Sequence, residues 1–367
     1  ERQRIEILKL LYTGANILIL DEPTAVLTPQ ETRQLFHAIR KLVQEGSSVI
    51  FISHKLDEVL EISDRISVLR NGRNAGTMNR SEVDRRTLVQ KMVGRDVLLD
   101  QEKPQVEPGP LKIEIKDLSV KNDKGLMAVK NLSLQIKGGE ILGIAGVAGN
   151  GQKELAEAIY GLRPIESGSI QMAGVDLHHR SIKKRIQAGL SFIPQDRKTI
   201  ATCPNLSVMA NIFMKNTIPG LKKPSLWNMQ IKNMHEKTSE LVENFSISTP
   251  SSKTAVRYLS GGNLQKVVLA RELSNRPSVI IAEHPTRGLD IGAMEFVYKT
   301  LLEEKKKGSA VLLLAGELYE IFRLSDRVAV IYEGQIMGYT PPEPAYTEQI
   351  GFMMAGTREA FIHDHQN

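Results

Sequence analysis

Hydrophobic and polar residues along the chain follow two patterns that are typical of two kinds of strand. Residues 111–115 and 129–136 alternate apolar and polar side chains, as strands do when one face is buried. Residues 141–145 and 279–282 are continuous apolar runs, as in parallel strands that are covered on both faces. Segments with helical periodicity, such as residues 154–160, lie between the runs. The pattern predicts an α/β fold with a mostly parallel core sheet and an antiparallel strand layer.

The chain also repeats itself at a constant spacing of 262 positions. Four landmarks keep this spacing without a gap: Gln3 and Gln265, residues 21–24 and 283–286, residues 63–65 and 325–327, and Gly72 and Gly334. A fixed spacing held over so many positions is the signature of a duplicated domain. We therefore expect two copies of one fold.

The domain organisation follows from the repeat and from one change in composition. Residues 100–110 are rich in proline and charge and show no periodicity, as extended linkers do. We predict the C-terminal half of a first copy over residues 1–92, a linker over 93–110, a second copy over 111–345 and a C-terminal tail over 346–367. Residue 1 falls inside a helix-like pattern with no start methionine, so we expect a truncated first copy and a chain that is inactive on its own.

Composition narrows the functional classes. The net charge of +6 comes from basic residues scattered among 42 acidic ones, which argues against a nucleic-acid groove. A single cysteine cannot form an internal disulfide, and no Cys/His cluster has the spacing of metal ligands. No apolar stretch approaches the roughly 20 residues of a membrane-spanning helix. Any role at a membrane would therefore depend on a partner.

A glycine-rich turn follows the apolar run at residues 141–145. Its glycines match the phosphate-binding loop pattern GxxxxGK[ST], and its candidate nucleotide-binding residues are Gly146, Gly149, Asn150, Gly151, Gln152 and Lys153. Glycines allow successive backbone N–H groups to converge on phosphate oxygens at a helix N-terminus. However, Gln152 and Lys153 replace the phosphate-binding lysine and the Mg²⁺-binding hydroxyl of the pattern. We predict nucleotide binding with little hydrolysis at this loop.

Acidic residues end a predicted strand in each copy. In the first copy, Asp21 is placed to hold Mg²⁺ through its hydration shell, Glu22 to polarise the attacking water and His54 to contact the γ-phosphate. At the same positions the second copy carries Glu283, His284 and Gly316, and we predict Glu283 and His284 as nucleotide-binding residues of the second site. The substitutions therefore collect in the second copy, and the first copy keeps the hydrolytic groups.

Residues 259–265 read LSGGNLQ and form the most specific short motif of the chain. Ser260, Gly261 and Gly262 offer a hydroxyl and backbone amides to an anion at the start of a helix. Together with GVAGNGQ, PTRGLDIGA and SDRVAVIYEG, this motif resembles ATPases of ABC importers with two fused cassettes. That group serves simple sugars and nucleosides, and the motifs look closest to its nucleoside branch, which works with basic-membrane-lipoprotein receptors.

The resemblance implies a duplicated P-loop NTPase fold of the ABC cassette type, with a helical subdomain added to the two strand layers. It implies ATP and Mg²⁺ as cofactors, and a glutamine, Gln195 in the sequence FIPQDR, that senses Mg²⁺ and contacts the transport partner. In such proteins each nucleotide lies between the phosphate loop of one cassette and the LSGGN motif of the other. A site with Asp21, Glu22 and His54 would then use Ser260, Gly261 and Gly262.

The function that these observations favour is the ATP-binding subunit of an importer for a small polar solute, a nucleoside more than a simple sugar. We expect it at the cytoplasmic face of the membrane, attached to multi-span permease subunits and indirectly to an extracytoplasmic solute-binding lipoprotein, without nucleic acid. Two alternatives are a soluble tandem ABC ATPase that acts on ribosomes or DNA, and a purely regulatory nucleotide-binding module. The first predicts a long basic helical linker, which residues 100–110 are not, and the second is opposed by Asp21, Glu22 and His54.

Overall fold

The chain forms two compact units in the computed structural model, one over residues 1–100 and one over residues 101–367. The structure describes residues 16–24, 27–53, 55–70, 72–93, 103–215 and 227–357. Gln3 and His54, which the sequence analysis singled out, lie outside the described residues.

The first unit contains four strands and three helices among its described residues. In chain order they are β1 (Ile17–Asp21), α1 (Pro29–Gln44), β2 (Ser48–Ile52), α2 (Leu56–Ile62), β3 (Arg65–Arg70), β4 (Arg73–Asn79) and α3 (Arg85–Val93). Strands β1 and β2 pair in parallel, and β3 and β4 form an antiparallel hairpin. Thr28 caps the N-terminus of helix α1, because Thr28 and Glu31 each accept a hydrogen bond from the other's backbone N–H. Phe36 and Ile39 of this helix pack on Leu20.

The second unit starts with an antiparallel layer and continues as alternating strands and helices. Its elements are β5 (Leu111–Lys121), β6 (Met127–Lys137), β7 (Ile141–Ala145), α4 (Gln152–Tyr160), β8 (Ser167–Met172), β9 (Val175–Asp176), α5 (Ile182–Gln187), β10 (Leu190–Ile193), α6 (Val208–Phe213), α7 (Trp227–Asn244), α8 (Gly261–Leu273), β11 (Val279–Glu283), α9 (Ile291–Lys306), β12 (Ala310–Ala315), α10 (Leu318–Leu324), β13 (Arg327–Tyr332), β14 (Gln335–Thr340) and α11 (Thr347–Met354).

Two sheets organise the second unit. The six-stranded core sheet has the order β10-β11-β12-β7-β13-β14 and is parallel except for β14. The antiparallel sheet has the order β6-β5-β8-β9. One hydrophobic core lies between the two sheets and includes α4, a second covers the opposite face of the core sheet, and a third joins α6, α7 and α8. The predicted α/β fold with a parallel core and an antiparallel layer is confirmed.

The segment predicted as a C-terminal tail, residues 346–367, contains a helix. Helix α11 lies in this segment, and its Ile350, Met353 and Met354 are buried in the second hydrophobic core. The first part of the segment therefore belongs to the packed unit, because an apolar helix face is stabilised by burial on the sheet. Residues 358–367 lie outside the described residues.

Elements of the two units recur at the spacing found in the sequence. Helices α1 and α9 both contain 16 residues, and Pro29 and Ile291, their first residues, are 262 positions apart. Strand β3 begins at Arg65 and β13 at Arg327, which keep the same spacing. The described part of the first unit therefore has the secondary structure of the last third of the second unit.

A buried ionic cluster connects α8 to the end of α6 and to the core sheet. The Glu272 carboxylate accepts hydrogen bonds from Arg271 Nε at 2.9 Å and from Lys215 Nζ at 2.6 Å, and the backbone N–H of Phe192 donates to it at 3.3 Å. Lys215 Nζ also donates to the hydroxyl of Tyr160 at 2.7 Å. The carboxylate therefore compensates the buried guanidinium of Arg271 and the partly buried ammonium of Lys215.

Replacement of Glu272 by alanine is expected to lower the free energy of unfolding by about 3 kcal/mol, because the buried Arg271 and the partly buried Lys215 lose their anion. Glu272→Gln keeps a hydrogen-bond acceptor of the same shape and should cost less. Urea unfolding of both variants, followed by circular dichroism, measures the difference. A loss below about 1 kcal/mol for Glu272→Ala would contradict this account.

Candidate nucleotide-binding site

The glycine-rich turn connects β7 to the N-terminus of α4, as the sequence predicts. Gly149 and Gly151 both have left-handed backbone conformations, with φ of +95° and +99°. Around Gly149 a side chain would find open space, whereas at Gly151 it would overlap the carbonyl oxygen of Ala128 on β6. The loop is therefore open on one side, where an anion could enter, and packed against the antiparallel sheet on the other.

Asn150 braces this loop against the turn between β13 and β14. Its side-chain oxygen accepts a hydrogen bond from the backbone N–H of Glu333 at 2.9 Å, and its backbone oxygen accepts one from Gly334 at 3.1 Å. The sequence predicts Asn150 as a nucleotide-binding residue, and the structure adds a bracing contact that local spacing does not reveal. The partner turn lies more than 180 positions away in the chain.

Gln152 and Lys153 occupy different environments at the start of α4. The side chain of Gln152 is buried, and its Nε2 donates to the carbonyl of Val147 at 3.4 Å, inside the loop. Lys153 is half-exposed, and its ammonium lies 3.6 Å from the carboxylate of Glu157, one turn along the helix. Gln152 therefore holds the loop together, while Lys153, which occupies the sequence position of the Mg²⁺-binding hydroxyl, places its ammonium beside Glu157.

The carboxyl ends of four neighbouring parallel strands meet at the edge where this loop lies. Gln195 follows β10, Glu283 ends β11, Gly316 follows β12, and the loop follows β7, with the strands in that order. The backbone N–H of Gln195 donates to the Glu283 carboxylate at 3.3 Å. The sequence-predicted residues of the second copy are thus brought to one edge of the core sheet, apart from Ser260, Gly261 and Gly262 on α8.

Burial changes the chemistry of the two residues at the end of β11. Burial of Glu283 raises the pKa of its carboxyl, and the nearby Glu157 raises it further. Burial lowers the pKa of His284 to about 4, and Arg287 acts in the same direction. His284 also has a left-handed backbone, with φ of 42°, and its N–H donates to the carbonyl of Leu314 at 2.7 Å. The imidazole is therefore neutral near pH 7 and a weak base.

These residues do not fit a Mg²⁺ ion. Mg²⁺ needs oxygen ligands in near-octahedral geometry, and the second unit presents the ammonium of Lys153 where the pattern has a hydroxyl, beside the carboxyl of Glu283, whose pKa is raised by burial. Within the described part of the chain, no group of three or more His, Cys, Asp and Glu side chains is arranged to hold a metal ion.

The end of β1 in the first unit has the same backbone arrangement. Glu22 has a φ of 44°, and its N–H donates to the carbonyl of Ile52 at 2.8 Å, 262 positions before the equivalent bond of His284. The side chain of Asp21 is exposed at this strand end. The structure places Asp21 and Glu22 at the edge where β1 and β2 end.

A threonine–glutamate hydrogen bond, which the sequence analysis missed, follows the acidic strand end in both units. Thr24 donates to Glu58 at 2.5 Å, and Thr286 donates to Glu320 at 2.8 Å. The two pairs keep the 262 spacing, so the repeat in the sequence could have predicted that the two pairs are equivalent. Glu320 is buried, and burial raises the pKa of its carboxyl to about 8.

Stability should therefore fall as the pH rises from about 5 to 8. Glu320 loses its proton near pH 4.5 in the unfolded chain and near pH 8 in the folded protein, so the folded state binds more protons in this window. Glu320→Gln keeps the acceptor for Thr286, should raise the free energy of unfolding at pH 8 by about 1–3 kcal/mol, and should flatten the slope. Chemical unfolding at four pH values measures this, and an unchanged slope would contradict it.

The LSGGN motif forms the N-terminus of α8. Ser260 caps the helix, and its hydroxyl oxygen accepts hydrogen bonds from the backbone N–H of Asn263 at 3.4 Å and from its side chain at 3.1 Å. Ser260 and Gly261 are exposed, and Gly262 lies against Ala293, where a Cβ would approach to 2.9 Å. The guanidinium of Arg197, which the sequence analysis did not single out, lies 3.6 Å from the Cβ position of Gly261.

Comparisons with known proteins identify the family of this chain. The family model described as ABC transporter matches residues 129–287, which span the glycine-rich loop, Gln195, the LSGGN motif and the end of β11. The chain is 43% identical to the guanosine import ATP-binding protein NupO of Bacillus subtilis over 98% of the chain and 70% of that protein. It belongs to the ATP-binding proteins of ABC transporters.

Two other relatives are also import ATP-binding proteins. It is 41% identical to the nucleoside import ATP-binding protein NupA of Lactococcus lactis, over 97% of the chain and 70% of that protein. It is 43% identical to a glucose import ATP-binding protein of Haloferax volcanii, over 98% of the chain and 66% of that protein. The chain thus spans about two thirds of the length of the relatives it matches.

Solved structures share the ABC cassette fold. A nucleotide-free ATP-binding cassette of an ABC transporter superposes with a TM-score of 0.56 at 20% identity, covering 69% of this chain and 100% of that one. A cassette bound to ADP and phosphate gives a TM-score of 0.55 at 19% identity, covering 63% and 99%. The predicted P-loop NTPase fold of the ABC cassette type is confirmed. Among the described residues of this ABC protein, no helix is both long and apolar enough to cross a membrane.

Proposed function

We propose that this ABC protein is the ATP-binding subunit of an importer and couples ATP hydrolysis to the uptake of a small polar solute. The observation that carries the proposal is the glycine-rich loop, open at Gly149 and located where four parallel strands end, in a chain of the import ATP-binding family. Such a loop at a helix N-terminus binds phosphate through backbone N–H groups. The subunit would act at the cytoplasmic face, on multi-span permease subunits that receive solute from an extracytoplasmic binding lipoprotein.

A nucleoside is the proposed solute class, supported by the motifs that resemble the nucleoside branch and by the names of NupA and NupO. Uptake of radiolabelled nucleosides, glucose and ribose by cells with and without the gene tests this. We expect nucleoside uptake to fall and sugar uptake to persist. Loss of sugar uptake alone would reassign the solute, and unchanged uptake of all three would contradict the importer proposal.

We further propose that the two units are copies of one cassette with unequal nucleotide sites. The shared spacing of elements, the matching left-handed Glu22 and His284, and the two threonine–glutamate pairs support the duplication. Asp21 and Glu22, with His54, are the proposed hydrolytic residues, and the exposed carboxylate of Asp21 suits a Mg²⁺ ion bound through water. Ser260, Gly261 and Gly262 are proposed contacts to a γ-phosphate, and Gln195 is the proposed sensor of Mg²⁺ and contact to the permease.

The second unit is proposed to bind nucleotide without Mg²⁺, because the ammonium of Lys153 supplies positive charge where the ion would lie. Photoaffinity labelling with an azido-ATP analogue, mapped to peptides from residues 101–367, should proceed within about threefold in magnesium and in EDTA. Lys153→Ala should weaken labelling in EDTA by about fivefold, the effect expected for one partly exposed charge contact. Labelling that falls more than tenfold in EDTA would contradict the proposal.

A further inference from the structure

The order of strands in the core sheet places Gly316 between His284 and the phosphate loop. Strand β12 lies between β11 and β7, with Glu283 opposite Leu314 and Ala315 opposite Ala145. His284 follows β11, Gly316 follows β12, and the loop follows β7. Gly316, the residue after β12, therefore lies between the end of β11 and the loop.

Gly316 has no side chain, and the imidazole of His284 lies directly beside Gly316. The Cβ position of Gly316 is 3.5 Å from Cε1 of His284 and 4.0 Å from its Nδ1. An added side chain would extend from this point into the space that the imidazole borders. The glycine at position 316 thus leaves room for the imidazole ring of His284.

The same two positions carry different residues in the first copy. At the 262 spacing, Glu22 corresponds to His284 and His54 corresponds to Gly316. The first copy therefore has an acid after its first strand and an imidazole after the next one. In the second copy an imidazole, that of His284, occupies the position equivalent to Glu22. The position equivalent to His54 is a glycine, Gly316.

We propose that His284 donates a hydrogen bond to the terminal phosphate of a nucleotide held by the loop at residues 146–153, in the space that Gly316 leaves open. The inference rests on the proposed binding of nucleotide by the second unit. Burial keeps the imidazole neutral, with a pKa of about 4, so that it has one N–H to donate but is a weak base for water. The second site would then distinguish ATP from ADP without hydrolysing either.

The first part of the experiment isolates binding at the second site. Gly149→Asp places a negative charge in the open space of the loop, in a left-handed conformation that Asp tolerates, and Gly149→Asn is the neutral control. Azido-ATP labelling of residues 101–367 should fall more than tenfold in Gly149→Asp, and the loss in Gly149→Asn, which adds a side chain of the same size without the charge, should be at least threefold smaller. If the wild-type protein shows no labelling that depends on Gly149, nucleotide binding by the second unit fails, whatever His284 does.

The second part tests His284 itself, with ATP and ADP as competitors of the label. His284→Asn removes the imidazole and keeps a residue that accepts a left-handed backbone. We expect ATP affinity to fall about tenfold and ADP affinity to change less than twofold, since hydrogen bonds to charged groups have effects of this size. The double variant His284→Asn, Gly316→His places an imidazole after β12 instead of after β11. Its ATP affinity should be within threefold of the wild-type value. Equal changes for ATP and ADP, no change for ATP, or no recovery in a double variant of unaltered melting temperature would overturn the proposal.

Discussion

Replacement of Gly151 by alanine is expected to lower the free energy of unfolding by about 4 kcal/mol or more and to abolish nucleotide binding by the second unit. A Cβ at this position would overlap the backbone carbonyl of Ala128, which cannot turn aside as a flexible side chain could. It would also force alanine into a left-handed conformation, with φ of +99°. Either the loop or strand β6 must move.

Gly149→Ala is the matched control for this prediction. Gly149 has nearly the same φ, +95°, but an added Cβ would meet open space. The control therefore carries the conformational strain alone, about 1 kcal/mol, without the overlap. Thermal and urea unfolding of both variants separates the two effects. Equal losses of stability would show that the approach of Ala128 does not constrain the loop.

The elements of the fold could be predicted from the sequence to a large extent, because apolar runs report burial directly. Residues 141–145 and 279–282 are strands β7 and β11, and residues 129–136 lie within β6. Strands β8 and β9 were not predicted, since short polar segments such as Ser167–Met172 carry no clear alternation.

The elements that pack on each strand could not be predicted from the sequence. Ile17 and Ile19 of β1 are 66% and 61% exposed, whereas their counterparts at the 262 spacing, Val279 and Ile281, are fully buried. The residue types are equally apolar in both units. The difference arises because β11 is covered by the antiparallel sheet and α4, which are contacts between distant parts of the chain.

In the candidate site, too, features set by short sequence patterns could be predicted, and features set by contacts between distant parts of the chain could not. The loop and the LSGGN motif could be predicted from local motifs, and Glu283 and His284 from the repeat at 262 positions. The bracing of Asn150 by Glu333, the burial that lowers the pKa of His284 and the neighbourhood of His284 and Gly316 depend on strand order. Strand order in a parallel sheet is set by crossovers and cannot be read from any short segment.

We propose that ATP hydrolysis depends on Glu22 of the first unit and not on Glu283 of the second. Glu22 carries a carboxylate at the left-handed position after β1, where His284 stands in the second unit, and the carboxyl of Glu283 is buried and hydrogen-bonded to Gln195. Loss of a positioned general base lowers a rate by about 10²–10⁴-fold. Both acids can be replaced by glutamine with little change in shape.

The most direct test is the ATPase rate of the protein assembled with its permease, measured for Glu22→Gln and Glu283→Gln at equal protein concentration. The account predicts a loss of at least about 100-fold for Glu22→Gln and a change within about threefold for Glu283→Gln. A large loss for Glu283→Gln with normal turnover in Glu22→Gln, or equal losses in both variants, would contradict it.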